Sequence, residues 1–382
     1  MSKINLLKSS LGLSTTDNMI LNSVKKLCRN ELSKRINIDF KFSRNKDIYK
    51  IFGEMGILGP TIKKYDCIGV SHTMYGLIAK EIEYIDSGYR SMFSVQSSLV
   101  MNPINKFGSD IVKEKYLKKL SHGELIGCFG LTEPQSGSDA SAMKTTAKVN
   151  KGDYILNGNK TWITNSPIAD VFLIWAKIDN EINGFILDRS MNGISTPEID
   201  TKMSLTSSTT GMIYLDNVRV PKENKLNIRG MKGPLSCLND ARLGISFGVL
   251  GAAESCIDIS LDYALNRKLF GSYLAEKQIF QNKIVDMITE YNLGLLAALE
   301  VSKKVDNNES IPEMISLIKR NNCHKSLNIV RQARDILGGN GITEDYNIFR
   351  HLINLETVNT YEGTYDIHSL ILGKYFTNYK AF

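Results

Sequence analysis

The sequence predicts an α+β protein in which a middle β-domain separates two helical domains. Apolar residues recur at helical spacing through Met19, Val24 and Leu32, and again in three long segments after residue 235. Between these regions, short apolar runs alternate with Asn, Gly, Asp and Ser, as in strands joined by turns. We therefore expect an N-terminal helical domain over residues 1–125, a middle antiparallel β-domain over 126–234 and a C-terminal four-helix bundle over 235–382.

Composition narrows the possible classes of protein. The chain has 382 residues, of which 42% are hydrophobic and 23% charged, so it can bury a sizeable core and is not expected to be disordered. The net charge of +7 is compatible with an anionic partner. Basic residues are interleaved with acidic ones, as in Lys113-Glu114-Lys115, which is typical of a solvated surface. We therefore expect no nucleic-acid partner.

The cysteines and the apolar runs point to an intracellular protein. The six cysteines include no C-x-x-C pair, and the five histidines are scattered, so we expect neither a metal site nor a disulfide framework. No apolar run reaches the roughly 18 residues that span a bilayer, so no membrane insertion is expected. Residues 1–16 make a poor secretory signal. The expected location is the cytoplasm of a bacterium, or the mitochondrial matrix of a eukaryote although no clear transit peptide is present.

The N-terminal domain contains one unusual run, Asp86-Ser87-Gly88-Tyr89-Arg90-Ser91. Gly88 weakens a helix interior and so indicates a special backbone position. Arg90 follows two residues later. An arginine in such a place is ordinarily a surface cation, but its planar fork of donors also suits a fixed clamp for an anion.

The middle domain contains the predicted strands. Tyr154–Leu156 and Thr161–Thr164 flank Asn157-Gly158, which predicts a hairpin with an Asn-Gly turn. Further strands are predicted at 171–176, 184–187 and 212–215. The run Ser136–Asp139 is either an ordinary polar turn or a cradle for phosphate oxygens.

Aromatic and hydroxyl side chains cluster in the same domain. Phe129, Leu131, Thr132, Trp162 and Thr164 could pack against a planar ring system and bind its edge, although a plain β-domain core explains them as well.

In the C-terminal region, long helices are predicted at 238–264, 278–305 and 312–337. Leu337–Gly341 either ends a helix or lies against a cofactor. Arg267, Phe270 and Gly271 could meet a pyrophosphate and a purine, or simply end a surface helix. Because no G-x-G-x-x-G follows a strand, a nicotinamide Rossmann site is disfavoured, and neither a Walker lysine nor a G-x-S-x-G elbow is present.

The run Thr360–His368 contains the candidate base. Glu362 precedes Gly363 at a predicted turn between two helices, beside the ring of Tyr361. A glutamate in apolar surroundings has a raised pKa, which suits a general base. The alternative is a charged loop residue in solvent.

Together these motifs resemble the acyl-CoA dehydrogenase family over nearly the whole chain, from about Thr15 to Phe382. The motifs that carry the resemblance occur in the family's order: Cys128–Pro134, Ser136–Asp139, Thr161–Asn165, Arg267 with Phe270-Gly271, and Leu337–Gly341. The resemblance implies FAD, a CoA thioester substrate, a homotetramer and electron-transferring flavoprotein as the oxidant.

Within the family, the chain is most similar to the glutaryl-CoA dehydrogenase branch, through the runs 86–91, 94–101 and 358–364. This narrower resemblance implies oxidative decarboxylation of glutaryl-CoA to crotonyl-CoA and CO₂, in lysine, hydroxylysine and tryptophan degradation. Asp335 and Asp366 stand where many family members have glutamine, although this branch also has aspartate. Tyr365 replaces the branch's usual histidine.

The resemblance also assigns roles to individual residues. Glu362 is expected to remove the α-proton, Gly363 to let the thioester approach, and Arg90 to clamp the distal carboxylate, while Glu83 and Tyr361 match positions of the decarboxylating members. Further substrate contacts are expected from Ser91, Ser138, Leu235, Ser236, Cys237, Leu238, Asn239, Asp240, Ala241 and Arg242, the last nine on the CoA arm. The flavin is expected to be lined by Phe129, Gly130, Leu131, Thr132, Glu133, Gly137, Ser138, Trp162, Ile163 and Thr164. The rest of FAD is expected to be held, partly across subunits, by Arg267, Phe270, Gln278, Asp335, Ile336, Leu337, Gly338, Gly339, Thr364, Tyr365, Asp366 and Phe382.

Two alternatives remain at this stage. One is an acyl-CoA dehydrogenase for a monocarboxylic short chain, which Arg90 disfavours because a buried guanidinium without an anion is costly. The other is a nucleic-acid-binding relative of the same fold, which the lack of a basic stripe or tail disfavours.

Overall fold

A computed structural model describes residues 4–6, 12–41 and 46–380. Phe382, one of the residues predicted to hold FAD, lies outside this part of the chain. The described chain passes from helices to a sheet and back to helices, so the predicted fold class is confirmed.

The N-terminal region consists of helices, several of which begin at a polar capping residue. Its helices are α1 (Thr15–Leu27), α2 (Ser33–Asp39), α3 (Asp47–Glu54), α4 (His72–Glu83), α5 (Ser87–Ser94), α6 (Asn102–Phe107) and α7 (Asp110–Ser121), with π-helical turns at Cys28–Leu32 and Val95–Met101. Ser14, Ser71 and Ser109 cap α1, α4 and α7, because each hydroxyl accepts a hydrogen bond from a backbone N–H of the first turn. Helices α4 and α5 are buried along almost their whole length.

The middle region is one mixed sheet. Its strands are β1 (Gly127–Gly130), β2 (Thr146–Asn150), β3 (Asp153–Thr164), β4 (Val171–Ile178), β5 (Glu181–Asp188), β6 (Ile194–Ser195), β7 (Thr210–Val220) and β8 (Lys225–Arg229). They lie in the order β6-β7-β3-β2-β4-β5-β8, with β1 on β4. The predicted antiparallel pairing holds for β2–β3, β3–β7, β4–β5, β5–β8 and β6–β7, but β1 and β2 both run parallel to β4.

The predicted hairpin at Asn157-Gly158 is wrong. Strand β3 passes straight through these residues, and the turn lies earlier, at Lys151-Gly152, where both residues have positive φ (49° and 92°). Gly158 serves a different purpose, because it lies at a register shift between β3 and β7 and its φ is 147°. A Cβ there would lie 2.5 Å from Oγ1 of Thr145, so the glycine allows a close approach rather than a turn.

The C-terminal region contains long helices that pack against one another. They are α8 (Lys232–Asn266), α9 (Gln278–Asp306), α10 (Pro312–Ile336), α11 (Ile348–Thr360) and α12 (Tyr365–Thr377), with the short pair β9 (Lys268–Leu269) and β10 (Ser272–Tyr273) between α8 and α9. Helix α8 is long and apolar enough to cross a bilayer, but 89% of its most apolar 18-residue window is buried within the protein. Its environment is therefore that of a core helix.

One buried carboxylate connects the three regions. Asp86 caps α5 by accepting from the N–H of Gly88 at 2.8 Å, and it accepts from the hydroxyl of Ser207 in the loop before β7. From α11, Asn354 donates to Asp86 at 2.9 Å and Arg350 forms an ion pair with it at 3.2 Å. Gly88 is needed for room, since a Cβ would lie 2.0 Å from Oγ of Ser207.

Candidate active site

The turn between α11 and α12 places Glu362 at the centre of the site. Glu362 and Gly363 both have positive φ, 52° and 97°, and Thr364 then caps α12 by accepting from the N–H of Ile367 at 3.1 Å. A Cβ on Gly363 would lie 2.7 Å from Nε2 of His368, so glycine is required there. Oε2 of Glu362 is buried and has no hydrogen-bond partner in the described part of the chain.

Two cations hold the backbone of this turn. Nε of Arg242, on α8, donates to the carbonyl of Glu362 at 2.8 Å. Nζ of Lys319, on α10, donates to the carbonyls of Tyr361 at 3.0 Å and Gly363 at 2.8 Å. Arg242 is assigned by the resemblance to the CoA arm, whereas its observed contact is with the candidate base. Lys319 is not among the residues that the sequence singles out.

A buried ion pair stands beside the turn. Nε of Arg90 donates to Oε2 of Glu83 at 2.6 Å, and both side chains are fully buried. Another Arg90 nitrogen, Nη2, donates to the hydroxyl of Tyr361. Arg90 therefore has a counter-ion within the chain, so its burial does not require an anionic substrate, contrary to the expectation from the sequence. However, Nη1 of Arg90 and Oε1 of Glu83 have no partner among the described residues.

Room for this ion pair comes from a glycine on α8. A Cβ on Gly248 would lie 2.1 Å from Oε2 of Glu83 and 3.2 Å from Cδ of Arg90. Ser91, the next residue on α5, is also buried. The pair is thus enclosed by helices α4, α5 and α8.

Burial and three nearby cations act in opposite directions on the pKa of Glu362. Burial raises the pKa of Glu362 above its ordinary value, and the cations Arg90, Arg242 and Lys319 oppose this rise. Burial likewise raises the pKa of Glu83, and Arg90 opposes it. Burial alone would lower the pKa of Arg90, but Tyr361 and Glu83 outweigh it, so the guanidinium stays charged.

His368 packs against Gly363 in the turn and is a neutral group. Its side chain is fully buried, and neither ring nitrogen makes a well-formed hydrogen bond within the described residues. Burial, followed by the nearby charges of Arg242 and Lys319, lowers the pKa of His368 to about 3. The imidazole is therefore uncharged at neutral pH.

The residues predicted to line the flavin lie together on β1, on the loop after it and at the end of β3. The backbone N–H of Thr161 donates to the carbonyl of Thr132 at 2.9 Å, which joins the two segments. Trp162 lies at a register shift in β3, has a φ of 59° and is 61% exposed, so its indole stands out from the sheet as an open face. Phe129 is instead buried edge-on against Trp175, with ring centroids 6.2 Å apart.

Glu133 has a structural role in this segment. Its carboxylate accepts from Nζ of Lys160 at 2.8 Å, from the hydroxyl of Thr145 at 2.6 Å and from the N–H of Lys144 at 2.6 Å. Lys160 also donates to the carbonyl of Leu131 at 3.0 Å. These contacts fix the loop after β1. The remaining members of the predicted set lie on the same segments: Gly130 ends β1, Gly137 and Ser138 are exposed in the loop, and Ile163 and Thr164 end β3.

A second group of predicted FAD residues lies far from the Glu362 turn. Arg267, Asp335, Ile336, Leu337, Gly338 and Gly339 line one pocket of about 330 Å³ at the C-terminal end of α10. Phe270, at the tip of the β9–β10 pair, is 94% exposed, and Gln278 is exposed at the start of α9. Asp335 lies sixteen residues after Lys319 on α10, which is about 24 Å along the helix axis. The predicted FAD residues of one chain therefore lie in two separate places.

Tyr365 and Asp366 begin α12 beside the turn that holds Glu362. The hydroxyl of Tyr365 accepts from Arg320, whose guanidinium carbon lies 3.9 Å from the tyrosine ring centroid, and the ring lies 5.1 Å from that of His324. Tyr365 is thus occupied by contacts with α10. Asp366 is exposed.

The residues predicted for the CoA arm lie on the first turns of α8, with Ser138 in the loop after β1. Ser236 and Cys237 each donate to the carbonyl of Gly233, and Asp240 forms an ion pair with Lys106 at 2.6 Å. Leu235 is 41% exposed, whereas Ala241 is buried. Leu238 and Asn239 are partly exposed on the same turns.

Sequence reasoning missed Lys319. A signal for it exists, because on α10 the lysine interrupts a buried stripe formed by Ile315, Ile318, Cys323 and Leu327. A lysine at a core position of an amphipathic helix is costly to bury unless it has partners. Such a position therefore indicates a buried acceptor group elsewhere in the chain.

Comparison with known proteins is consistent with this architecture. Models of the N-terminal, middle and C-terminal domains of acyl-CoA dehydrogenases match residues 14–124, 128–218 and 229–376. The chain is 30% identical to a mitochondrial isovaleryl-CoA dehydrogenase of Arabidopsis thaliana, over 96% of this chain and 92% of that protein. It is 33% identical to a 3-(aryl)acrylate reductase of Clostridium sporogenes, over 86% of this chain and 89% of that protein.

Solved structures give a further match. A glutaryl-CoA dehydrogenase from Mycobacterium smegmatis, in complex with FADH2, has a TM-score of 0.96 and 40% sequence identity, over 98% of both chains.

Proposed function

Because this chain belongs to the acyl-CoA dehydrogenase family, we propose that it oxidises and decarboxylates glutaryl-CoA to crotonyl-CoA and CO₂. The observation that carries the proposal is the uncommitted Nη1 of Arg90, a buried cationic donor held by Glu83 and Tyr361 beside Glu362. A free carboxylate at the far end of an acyl chain would complete its hydrogen bonds. The 40% identity to a solved glutaryl-CoA dehydrogenase supports the same substrate.

FAD is the cofactor. The chain offers it a fitting surface, because Trp162 presents an open aromatic face next to the hydroxyl-bearing loop that contains Thr132. When bound, FAD accepts the hydrogen that leaves the β-carbon as a hydride.

Glu362 is proposed to remove the α-proton of the thioester. Its unpartnered Oε2 is free to take a proton, and the nearby cations keep a fraction of the carboxyl ionised despite burial. Removing this proton places negative charge on the thioester oxygen, which hydrogen-bond donors in a dry pocket stabilise strongly. Gly363 leaves room for the thioester next to the base.

Arg90, which Glu83 holds in place, is proposed to bind the carboxylate that is later lost as CO₂. Arg90 holds the distal carboxylate while the α,β double bond forms. Loss of CO₂ then leaves a carbanion that is delocalised into the thioester carbonyl, and Glu362 can return the proton it removed to the terminal carbon. One proton is thus taken and one given back, and two electrons leave the substrate with the β-hydrogen.

We also propose a homotetramer with electron-transferring flavoprotein as the oxidant. The pocket lined by Arg267 and Asp335–Gly339 is separated from the Glu362 turn within one chain, so a neighbouring copy would supply it to the same FAD. The highly exposed Phe270 beside it fits a surface that another copy covers.

A second candidate is an acyl-CoA dehydrogenase for a monocarboxylic substrate. It is favoured by the Glu83–Arg90 ion pair, because Arg90 already has an anion and needs none from the substrate. The 30% identity to an isovaleryl-CoA dehydrogenase points the same way.

Product analysis separates these two candidates. Purified protein with FAD and a dye acceptor is incubated with glutaryl-CoA or butyryl-CoA, and the CoA products and CO₂ are measured. The proposal expects crotonyl-CoA and CO₂ in equal amounts from glutaryl-CoA. Glutaconyl-CoA without CO₂ would contradict decarboxylation, and turnover of butyryl-CoA alone would favour the second candidate.

A further inference from the structure

We propose that Lys319 is a positioning residue for catalysis, which fixes the backbone on both sides of Glu362. The proposal rests on the role of Glu362 as the base. It concerns a side chain on another helix that contacts the turn only through backbone carbonyls.

Each donor of the Lys319 ammonium group has a backbone carbonyl as its acceptor, in the turn or just before it. Nζ donates to the carbonyls of Val358 at 3.3 Å, Tyr361 at 3.0 Å and Gly363 at 2.8 Å. An ammonium has three N–H donors, so all of them are used. The carbonyl of Val358 belongs to the last turn of α11, where helix carbonyls lack partners within the helix. The hydrogen bonds of Lys319 thus extend from the last turn of α11 to the turn that follows it.

The backbone of three consecutive residues is held by two cations. Lys319 binds the carbonyls of Tyr361 and Gly363, while Arg242 binds the carbonyl of Glu362 between them. Because a trans peptide is planar, fixing a carbonyl also fixes the N–H on the opposite side of that peptide. Lys319 therefore determines the direction of the N–H groups of Glu362 and Thr364. No other side chain in the described part of the chain makes a hydrogen bond to the carbonyl of Tyr361 or Gly363.

The position of Lys319 argues against a role in packing alone. Its side chain is only 1% exposed and occupies the buried stripe of α10, where an apolar residue would avoid the cost of desolvating a charge. Burial lowers the pKa of Lys319, which records that cost. A methionine would fill nearly the same volume without the charge.

Lys319 also acts on Glu362 through its charge. The charged and titratable groups that face Glu362 come from every surrounding element: Tyr75 from α4, Arg90 from α5, Arg242 from α8, Lys319 and Cys323 from α10, Tyr361 from the turn, and His368 from α12. The three cations in this set favour the carboxylate over the carboxylic acid. Removing one of them raises the pKa of Glu362, so a higher pH is then needed to ionise the base.

Three variants separate charge from geometry. Lys319→Met removes the donors and the charge, and we expect kcat to fall about tenfold to a hundredfold with little change in KM, because a misplaced catalytic group costs rate rather than binding. The pH profile of kcat is expected to shift to higher pH. Lys319→Arg keeps the charge, but a planar fork cannot direct its donors to the same three carbonyls, so kcat falls while the profile stays in place. Lys325→Met, whose lysine lies on the same helix in an exposed pair with Glu290, is the control and should retain both values.

A second readout follows proton abstraction directly. With the enzyme reduced beforehand by dithionite, net oxidation is blocked, and exchange of the substrate α-proton with D₂O is measured by NMR. We expect exchange to slow in Lys319→Met and Lys319→Arg but not in Lys325→Met. Wild-type exchange and an unshifted pH profile in Lys319→Met would overturn the inference. If Lys319→Met does not fold, wild-type kcat in Lys319→Arg overturns the geometric claim. Wild-type exchange in Glu362→Gln would instead refute the base assignment on which the inference rests.

Discussion

A single methyl group on α8 is expected to break the buried Glu83–Arg90 pair. Replacing glycine by alanine in a helix ordinarily stabilises it by about 1 kcal/mol. At Gly248, however, the new Cβ would lie 2.1 Å from Oε2 of Glu83, far inside any normal carbon–oxygen contact. That oxygen is bound to Nε of Arg90 at 2.6 Å, so the carboxylate can move only by giving up this bond.

The magnitude follows from these two opposing effects. Breaking a buried ion pair costs about 3–5 kcal/mol, because each charge is then left without its partner. After the gain in helix propensity of about 1 kcal/mol, the net loss in the free energy of unfolding for Gly248→Ala is about 2–4 kcal/mol.

The matched control is Gly373→Ala on α12. Gly373 is exposed and a Cβ there meets no atom within 4 Å, so this variant is expected to gain about 0.5–1 kcal/mol. Urea unfolding followed by circular dichroism measures both variants under the same conditions. If Gly248→Ala is as stable as the wild type or more so, the ion pair either yields without cost or contributes nothing, and the reasoning is refuted.

Three further predictions concern the site itself. Glu362→Gln is expected to bind substrate but to lose about 10²–10⁴-fold in the rate of proton abstraction. Because burial raises the pKa of Glu362, ionisation of this carboxyl destabilises the folded state as the pH rises past its ordinary pKa. In urea unfolding at different pH values, Glu362→Gln should therefore be more stable than wild type at about pH 8 and lose that advantage below about pH 4. Arg90→Met is expected to lower kcat/KM for glutaryl-CoA about tenfold to a hundredfold more than for butyryl-CoA, and equal losses would mean that Arg90 serves folding or the thioester. His368, with a pKa of about 3, should show NMR ring-proton shifts that stay constant between about pH 5 and pH 8, and a titration in that range would refute its burial as a neutral group.

The helices were predictable because their apolar periodicity is a local property of the sequence. The predicted segments 238–264, 278–305 and 312–337 agree closely with α8, α9 and α10. The hairpin failed for a non-local reason, since Gly158 is required by the approach of Thr145 and not by a turn. The true turn, Lys151-Gly152, lacks the asparagine or aspartate that makes such turns easy to recognise.

The site was predictable only where neighbouring residues carry the signal. Glu362, Gly363 and Tyr361 are adjacent in sequence, so their grouping was visible. Lys319 lies 42 residues before Tyr361, and nothing in its local sequence shows which carbonyls it meets.

The sequence predicts an anion-clamping role for Arg90, but it does not reveal the pairing of Arg90 with Glu83. Glu83 lies seven residues earlier, and the break between α4 and α5 brings it to Nε of Arg90. Periodicity within one helix does not describe a contact across such a break. The residues at the far end of α10 show the same limit, because the distance between Asp335 and Lys319 depends on the helix being continuous.

The carboxylate of Asp86 has a consequence for any attempt to divide the chain. It is fully buried, and its partners Ser207, Arg350 and Asn354 all lie outside the segment 14–124 that matches the N-terminal family model. In a fragment ending at residue 124, the Asp86 carboxylate would lie on the surface that normally contacts the sheet and α11, without its partners from those elements. The space that Gly88 leaves for the side chain of Ser207 would be unfilled. The segment 14–124 is therefore not expected to fold on its own, and a fragment ending at residue 124 should recover its structure only when the complementary piece is supplied.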